Sequence, residues 1–248
     1  MHKTMKQGIF ELIENTSLTG KVSRLRLRGD VSAITVPGQF VQVQIEGLFL
    51  RRPFSVCDRD ENSFTVLYEN IGAGTDILHA MASGSKLDAL TGLGNGFDIW
   101  RCGDTPLLIG GGTGISPLYW LAKELLNTGK TPTALLGFNT ADDVFYADEF
   151  EALGIHTIIT TADGSRGLKG FVTEAMKLPH SCFYACGPEE MLRAVCKASP
   201  MPGQLSLDRR MGCGFGACMG CTIITRNGPK RICKEGPVLD RKEIIWED

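Results

Sequence analysis

The sequence predicts an α+β multidomain chain: an antiparallel β-barrel domain (residues 1–101), an α/β parallel-sheet domain (102–202) and a small cysteine-rich C-terminal domain (203–248). Three observations carry this reading. Apolar and polar residues alternate with a period of two in the first part. Short, wholly apolar runs alternate with helical patterns in the second, and glycine and cysteine crowd the third. At 248 residues the chain has room for two compact domains and an appendage.

In the first part, Val41, Val43 and Ile45 alternate with Gln42 and Gln44, which predicts a half-buried strand over 40–45. Phe64, Val66 and Tyr68 alternate in the same way, and the turn signals Pro37-Gly38 and Glu61-Asn62 separate such runs into hairpins. Near Asp104 the texture changes. Leu107-Leu108-Ile109 reads as a strand buried on both faces, followed by the glycine stretch 110–114. Leu118, Leu121, Ala122, Leu125 and Leu126 then fall on one helical face. Ser116 is the expected N-cap, Pro117 suits the first turn, and Gly129 can end the helix. Further apolar runs at 134–138, 155–160 and 183–186 imply a parallel sheet.

A hydrophobic fraction of 43% and a charged fraction of 22% are ordinary for a globular protein, and a net charge of -2 argues against a general nucleic-acid binder. The N-terminal stretch holds no signal-like apolar run, and no run approaches the ~20 residues that span a bilayer, so a cytoplasmic protein with no membrane association is expected. Nine cysteines, an odd number in a reducing compartment, disfavour a disulfide framework and suggest metal. Cys57, Cys102, Cys182, Cys186 and Cys196 are dispersed, and apolar packing is the expectation for most of them. His2, His79, His156 and His180 lack ligand-like spacing and are read as structural or surface groups.

The remaining four follow the spacing Cys213-x4-Cys218-x2-Cys221-x11-Cys233. This matches the plant-type [2Fe–2S] arrangement, whereas a zinc ribbon would normally carry two C-x2-C knuckles. Gly212, Gly214, Gly216 and Gly220 let the backbone wrap tightly and aim N–H groups at sulfur. Structural zinc and free thiols remain the alternatives.

Four other segments bear on cofactors. Arg52 in Arg51-Arg52-Pro53-Phe54-Ser55 could pair with a phosphate, and Ser55 could offer a hydroxyl to a ring nitrogen; the bland alternative is a solvated turn. Gly72-Ala73-Gly74-Thr75 precedes a helix start suited to a pyrophosphate, or is an ordinary turn. Gly111, Gly112, Thr113 and Gly114 resemble a dinucleotide fingerprint, with Pro117 where the last glycine would stand. Cys186-Gly187-Pro188-Glu189-Glu190-Met191 closes a strand at the edge where open α/β sheets bind ligands.

In this order, these segments resemble the ferredoxin-reductase family. With the cysteine segment, the chain resembles the electron transfer subunits of NAD-dependent (class 1B) dihydroorotate dehydrogenase, the PyrK family, over nearly its whole length. The resemblance implies an FAD domain, an NAD domain and a [2Fe–2S] domain. Arg52, Pro53, Phe54 and Ser55 would contact FAD, Leu67, Tyr68 and Glu69 would line it, and Gly74 and Thr75 would bind its pyrophosphate. Glu69 stands where the family often has a basic residue. Cys186 would lie near the carbon that exchanges hydride, and Gly111 to Gly114 would flank NAD.

The resemblance also implies an FMN-containing catalytic subunit that oxidises dihydroorotate, in a heterotetramer of two plus two. Electrons would pass from that FMN through the cluster and FAD to NAD⁺, in pyrimidine (UMP) biosynthesis. Asp142, Asp143 and Asp163 have no adjacent arginine suited to a 2′-phosphate, which leans toward NAD, although Arg166 keeps NADP open. Two other readings stand: a similar module of a ferredoxin–NADP oxidoreductase or sulfite-reductase-type complex, and a non-catalytic zinc interaction protein.

Overall fold

In the computed structural model, which describes residues 5–246, the first strands are β1 (Lys6–Ser17), β2 (Val22–Arg28), β3 (Phe40–Val43), β4 (Arg52–Arg59), β5 (Ser63–Glu69) and β6 (Lys86–Leu93). They close into an antiparallel barrel in the order β1-β2-β5-β4-β3-β6. The period-two pattern explains its core: Val41, Val43, Phe64, Val66 and Tyr68 point inward with Phe10, Leu12, Leu25 and Leu27. Helix α1 (Ala73–His79) joins β5 to β6 and sends Leu78 into the same core. β3 stops at Val43, short of the expected residue 45. There the chain turns, with Leu48 N donating to the Ile45 carbonyl (3.1 Å) and Gln44 Nε2 to the Leu48 carbonyl (2.8 Å).

The second region runs β7 (Pro106–Gly111), α2 (Ser116–Asn127), β8 (Thr133–Phe138), α3 (Ala147–Ala152), β9 (His156–Thr161), β10 (Leu168–Lys169), α4 (Val172–Ala175), β11 (Cys182–Cys186), α5 (Glu189–Ala198) and β12 (Gly203–Ser206). After a small ribbon, β13 (Thr222–Thr225) and β14 (Gly228–Arg231), comes β15 (Val238–Asp240). The seven-stranded sheet has the order β10-β9-β8-β7-β11-β12-β15, parallel except for the final β12–β15 pair. Strands from residues 203–248 therefore extend the nucleotide-domain sheet, with the cysteine loop and the ribbon lying between them. Among the described residues, no helix is long and apolar enough to cross a membrane.

Two expectations are corrected here. Ser116 does not cap α2. The helix is entered through a 3-10 turn over Gly112–Ile115, so Ser116 already lies inside it, and its Oγ donates to the Ser55 carbonyl of the barrel at 3.2 Å. The helix is sandwiched: Leu118, Leu121, Ala122 and Leu125 face the parallel sheet while Trp120 packs on the barrel core. Lys123 Nζ fixes this crossing on Asp58 of β4 (2.7 and 2.8 Å). The second correction concerns cysteine: Cys102 and Cys182 are buried in the apolar core as expected, but there they are joined by a disulfide, with Cα atoms 5.6 Å apart. The cause is tertiary, since β7 and β11 start side by side and the linker brings Cys102 to that end.

Asn95, in that linker, ties the regions together. Its Nδ2 donates to the carbonyls of Glu235 (3.1 Å) and Val238 (2.6 Å), and its Oδ1 accepts from Val238 N (3.0 Å) and Gly96 N (2.8 Å).

Candidate functional site

Between the barrel and the parallel sheet lies a cleft of about 1270 Å³. Arg52, Pro53, Phe54, Ser55, Leu67, Tyr68, Glu69, Gly74, Thr75, Gly111, Gly112, Thr113, Gly114 and Cys186 all line it. Residues far apart in sequence thus meet on one surface, larger than an ordinary single-ligand pocket.

On the barrel side, β4 presents Arg52 to Ser55 along the cleft wall. Arg52 lies over the first turn of α1, where a Cβ added at Gly74 would stand 3.1 Å from Arg52 Nε. The Thr75 hydroxyl closes that turn, accepting from Ile71 N (3.0 Å) and Gly72 N (3.2 Å). A guanidinium over a helix start, whose N–H groups lack intrahelical acceptors, suits a pyrophosphate. Strand alternation divides the expected trio. Leu67 faces the nucleotide-domain core and Glu69 is exposed at the rim, but the Tyr68 ring turns into the barrel, where its hydroxyl donates to Asn15 Oδ1 at 3.1 Å.

On the sheet side, β7 and β11 are neighbours, while the chain leaves β7 toward β8 on the other flank. Their carboxyl ends form the topological switch point where open α/β sheets bind ligands. The glycine motif and the Cys186 segment touch there: a Cβ on Gly114 would lie 2.3 Å from the Cys186 carbonyl oxygen, and one on Gly111 would lie 2.5 Å from Met191 Sδ. Burial pushes the Cys186 thiol up to about 12, so it is neutral at pH 7. Glu189, of the same motif, pairs with Arg209 at 2.7 Å.

Sequence reasoning missed part of the nucleotide side. Asn139 after β8, Thr160 on β9 and Phe171 before α4 also line the cleft. Thr160 is fully buried with no partner for its hydroxyl, whereas Phe171 is 71% exposed. Their only sequence signal was position near the carboxyl ends of parallel strands. Asp143 accepts from Lys21 (3.2 Å) and Thr140 (3.0 Å), and Asp163 from Ser165. Arg166 reaches Asp148 at 3.7 Å. His79 contacts Ser23, and His180 contacts Ser199 and the Leu178 carbonyl; His2 lies outside the described residues.

Beyond Leu207, Asp208 and Arg209, which border the cleft, the chain runs into the cysteine loop. Cys221 and Cys233 are buried against Phe40, Leu90 and Leu93 of the barrel, while Cys218 is exposed. Among the described residues no group of three or more His, Cys, Asp or Glu side chains forms a single-ion site. The thiols instead stand as two pairs. Cys213 N donates to Cys218 Sγ (3.5 Å), Cys218 N and Ala217 N donate to Cys213 Sγ (3.4 and 3.2 Å), and Cys233 N donates to Cys221 Sγ (3.4 Å). Two pairs with N–H groups aimed at sulfur fit a two-iron cluster, each iron taking two thiolates. Burial opposes ionisation of Cys213, yet the N–H donors from Cys218, Phe215 and Ala217 bring it down to about 6. Burial pushes Cys233 up to about 12. Arg231 steadies the loop by donating to the Gly216 carbonyl (2.7 Å) while paired with Glu235, whose carboxyl it holds down at about 2.

A closed barrel and an α/β domain sharing one cleft, with paired thiols beside it, define a ferredoxin-reductase-type oxidoreductase with an added iron–sulfur segment. Residues 108–197 match the family described as an oxidoreductase NAD-binding domain, and residues 208–245 match the iron–sulfur cluster binding domain of dihydroorotate dehydrogenase B. The chain belongs to the family of dihydroorotate dehydrogenase B (NAD(+)) electron transfer subunits. It is 40% identical to that subunit of Geobacillus sp. (strain WCH70), covering 97% of this chain and 99% of the relative. With that of Fusobacterium nucleatum subsp. nucleatum the identity is 39%, over 94% of this chain and 96% of the relative. A solved NADH-dependent reduced ferredoxin–NADP oxidoreductase is similar, with TM-score 0.87, 29% identity and coverage of 99% of this chain and 92% of that one. A ferredoxin NADP+ reductase from Neisseria gonorrhoeae shares the fold (TM-score 0.69, 18% identity, 78% of this chain and 90% of that one).

Proposed function

We propose that this chain is the electron conduit of an NAD-dependent dihydroorotate dehydrogenase, joining an FMN-containing catalytic subunit to NAD⁺ in the cytoplasm, in a complex of two copies of each chain. The observation that carries it is spatial: the barrel motif, the glycine motif and Cys186 share one cleft, and its border at Leu207 to Arg209 leads directly into the paired cysteines. When bound, the [2Fe–2S] cluster supplies single-electron transfer and FAD exchanges single electrons for the hydride of NAD, so FAD belongs between the two.

The chain's own residues supply binding and orientation. Arg52 and the start of α1 hold the FAD pyrophosphate. Pro53, Phe54 and Ser55 fix the flavin along β4, with Leu67 on the next strand. Gly111 to Gly114 let NAD approach the end of β7 closely. The neutral Cys186 thiol packs where the nicotinamide arrives and offers a weak donor without adding charge. Cys213, Cys218, Cys221 and Cys233 ligate the cluster. Cys218, with Phe215 (45% exposed) and Met219 (52% exposed) beside it, forms the face that meets the catalytic subunit. We take residues 1–101 as the FAD unit and 102–202 as the NAD unit, with 203–248 carrying the cluster loop and also lending β12 and β15 to the NAD unit's sheet.

A second reading has one observation in its favour: the 29% identity, over 99% of this chain, with a ferredoxin–NADP oxidoreductase. Co-purification from the native source followed by assay with dihydroorotate and NAD⁺ separates the two. NADH formation that requires both chains is expected. Recovery of a different dehydrogenase, with dihydroorotate inert, would retire the first reading and keep the redox class.

A further inference from the structure

Gln42 stands on β3 opposite Pro53 of β4 and Leu90 of β6. Because Val41 and Val43 point into the barrel core, the period-two pleat turns Phe40 and Gln42 outward. Phe40 accordingly packs with Cys221, Ile232 and Cys233. The Gln42 side chain is 0% exposed, and neither its Oε1 nor its Nε2 has a hydrogen-bond partner. Leaving such groups unpaired is costly, which makes an orphaned buried carboxamide a rare feature that calls for a partner.

The cysteine loop lies directly against it. Gly214 follows Cys213 with φ +78, and a Cβ there would stand 2.3 Å from Gln42 Cδ and Oε1 and 2.5 Å from Nε2. Only glycine satisfies both that dihedral and that approach, so the loop backbone rests on the carboxamide. Gln42 is not among the residues lining the flavin–nucleotide cleft, although its cross-strand neighbour Pro53 is. The chain that closes over it is the cysteine loop.

We propose that Gln42 is a positioning residue for the cluster, its carboxamide N–H donating to a sulfur of the bound [2Fe–2S] group at the Cys213 corner. This rests on the four cysteines being the ligands. Donors to sulfur stabilise the more negative, reduced cluster and raise its potential. The barrel strand beside the flavin motif thus sets how readily the cluster holds the electron it passes on.

Two measurements on the full chain, loaded with FAD and cluster, test the proposal. In the first, an EPR-monitored redox titration compares wild type with Gln42→Leu, which keeps the volume and removes the amide. The expected variant cluster is on the order of tenfold harder to reduce, a shift of about 59 mV for one electron, at unchanged iron content. In the second, pulsed EPR of the reduced wild-type cluster, with glutamine ¹⁵N-labelled at the side-chain amide only, is expected to show a coupled nitrogen that is lost in Gln42→Leu. An unchanged midpoint, or no ¹⁵N coupling in a wild-type chain that carries the cluster, overturns this inference alone. A wild-type chain without any iron–sulfur signal overturns the ligand assignment and the inference together. Should Gln42→Leu fail to take up cluster, the wild-type ¹⁵N measurement decides.

Discussion

Around the cleft, glycine backbone is pressed against its neighbours. Gly114 touches the Cys186 carbonyl, Gly111 touches Met191, and α2 is held between two cores by Leu118 on one side and Trp120 on the other. Around the cysteines there is little regular structure. A two-stranded ribbon, Arg231, Asn95 and a few N–H groups aimed at sulfur hold the loop. The cleft owes its shape to protein packing, which tolerates almost no added volume. The loop, also close-packed at Gly214 and Gly216, aims N–H donors at paired thiols, an arrangement in which binding a cluster would couple to folding.

The sharpest way to break this contrast is to remove a ligand. Cys218→Ala is expected to abolish the visible absorption and reduced-state EPR signal of the cluster while leaving NADH-driven dye reduction through FAD largely intact. A surviving cluster signal would point to a different ligand set. Gly114→Ala attacks the other region. With backbone rather than a flexible side chain 2.3 Å away, the turn after β7 must shift away from the end of β11. A loss of about 3 kcal/mol and a fall in NADH-driven dye reduction on the order of 100-fold are expected, with the cluster retained. Thermal melts and iron analysis on the same preparation separate the two effects, and a wild-type melting temperature would show that the contact yields easily.

Asn95→Ala tests the strap between regions. Losing its bonds to Glu235 and Val238 should cost about 2 kcal/mol, visible in urea unfolding and as faster proteolysis after residue 202 than within the barrel. Equal cleavage of both regions would argue that the strap is not what holds the segment.

The smallest effect belongs to Asp88. Its bond to Arg51 (2.8 Å) holds the carboxyl below its ordinary value of 3.8. A carboxylate depressed in the folded state stabilises fully above the ordinary value, and that contribution disappears as pH falls through the lower folded value. Asp88→Asn should therefore cost about 1 kcal/mol at neutral pH and progressively less in acid. Parallel melts of the two proteins across that range check the sign, and a deficit that grows in acid would contradict it.

Much of the site could be read before the fold was seen, because its chemistry depends on residues that few other roles require at those spacings. Four cysteines in the ferredoxin pattern signal locally, whereas the arginine and serine around Pro53-Phe54 and the glycines between a buried run and a helix are ambiguous singly and take their meaning from their order along the chain. Less legible were features that depend on a distant surface. Ser116 looked like a cap because serine before a proline and an apolar stripe usually is one, but its acceptor is a barrel carbonyl. Cys102 and Cys182 gave no pairing signal at a sequence separation of 80. Tyr68 borders the cleft, as its position in the motif suggested, while strand alternation turns its ring into the barrel, where Asn15 accepts from its hydroxyl.

By itself the sequence determined the strand alternation, the order of the motifs and the ligand spacing, because pleat, turn chemistry and chelation act over a few residues. Only the tertiary structure decided that the β4 motif and the end of β7 share one cleft, that β15 returns to the nucleotide sheet, and that Gln42 is sealed against Gly214. Those outcomes depend on which surfaces meet when barrel and sheet pack, and burial is a property of both partners rather than of either segment alone.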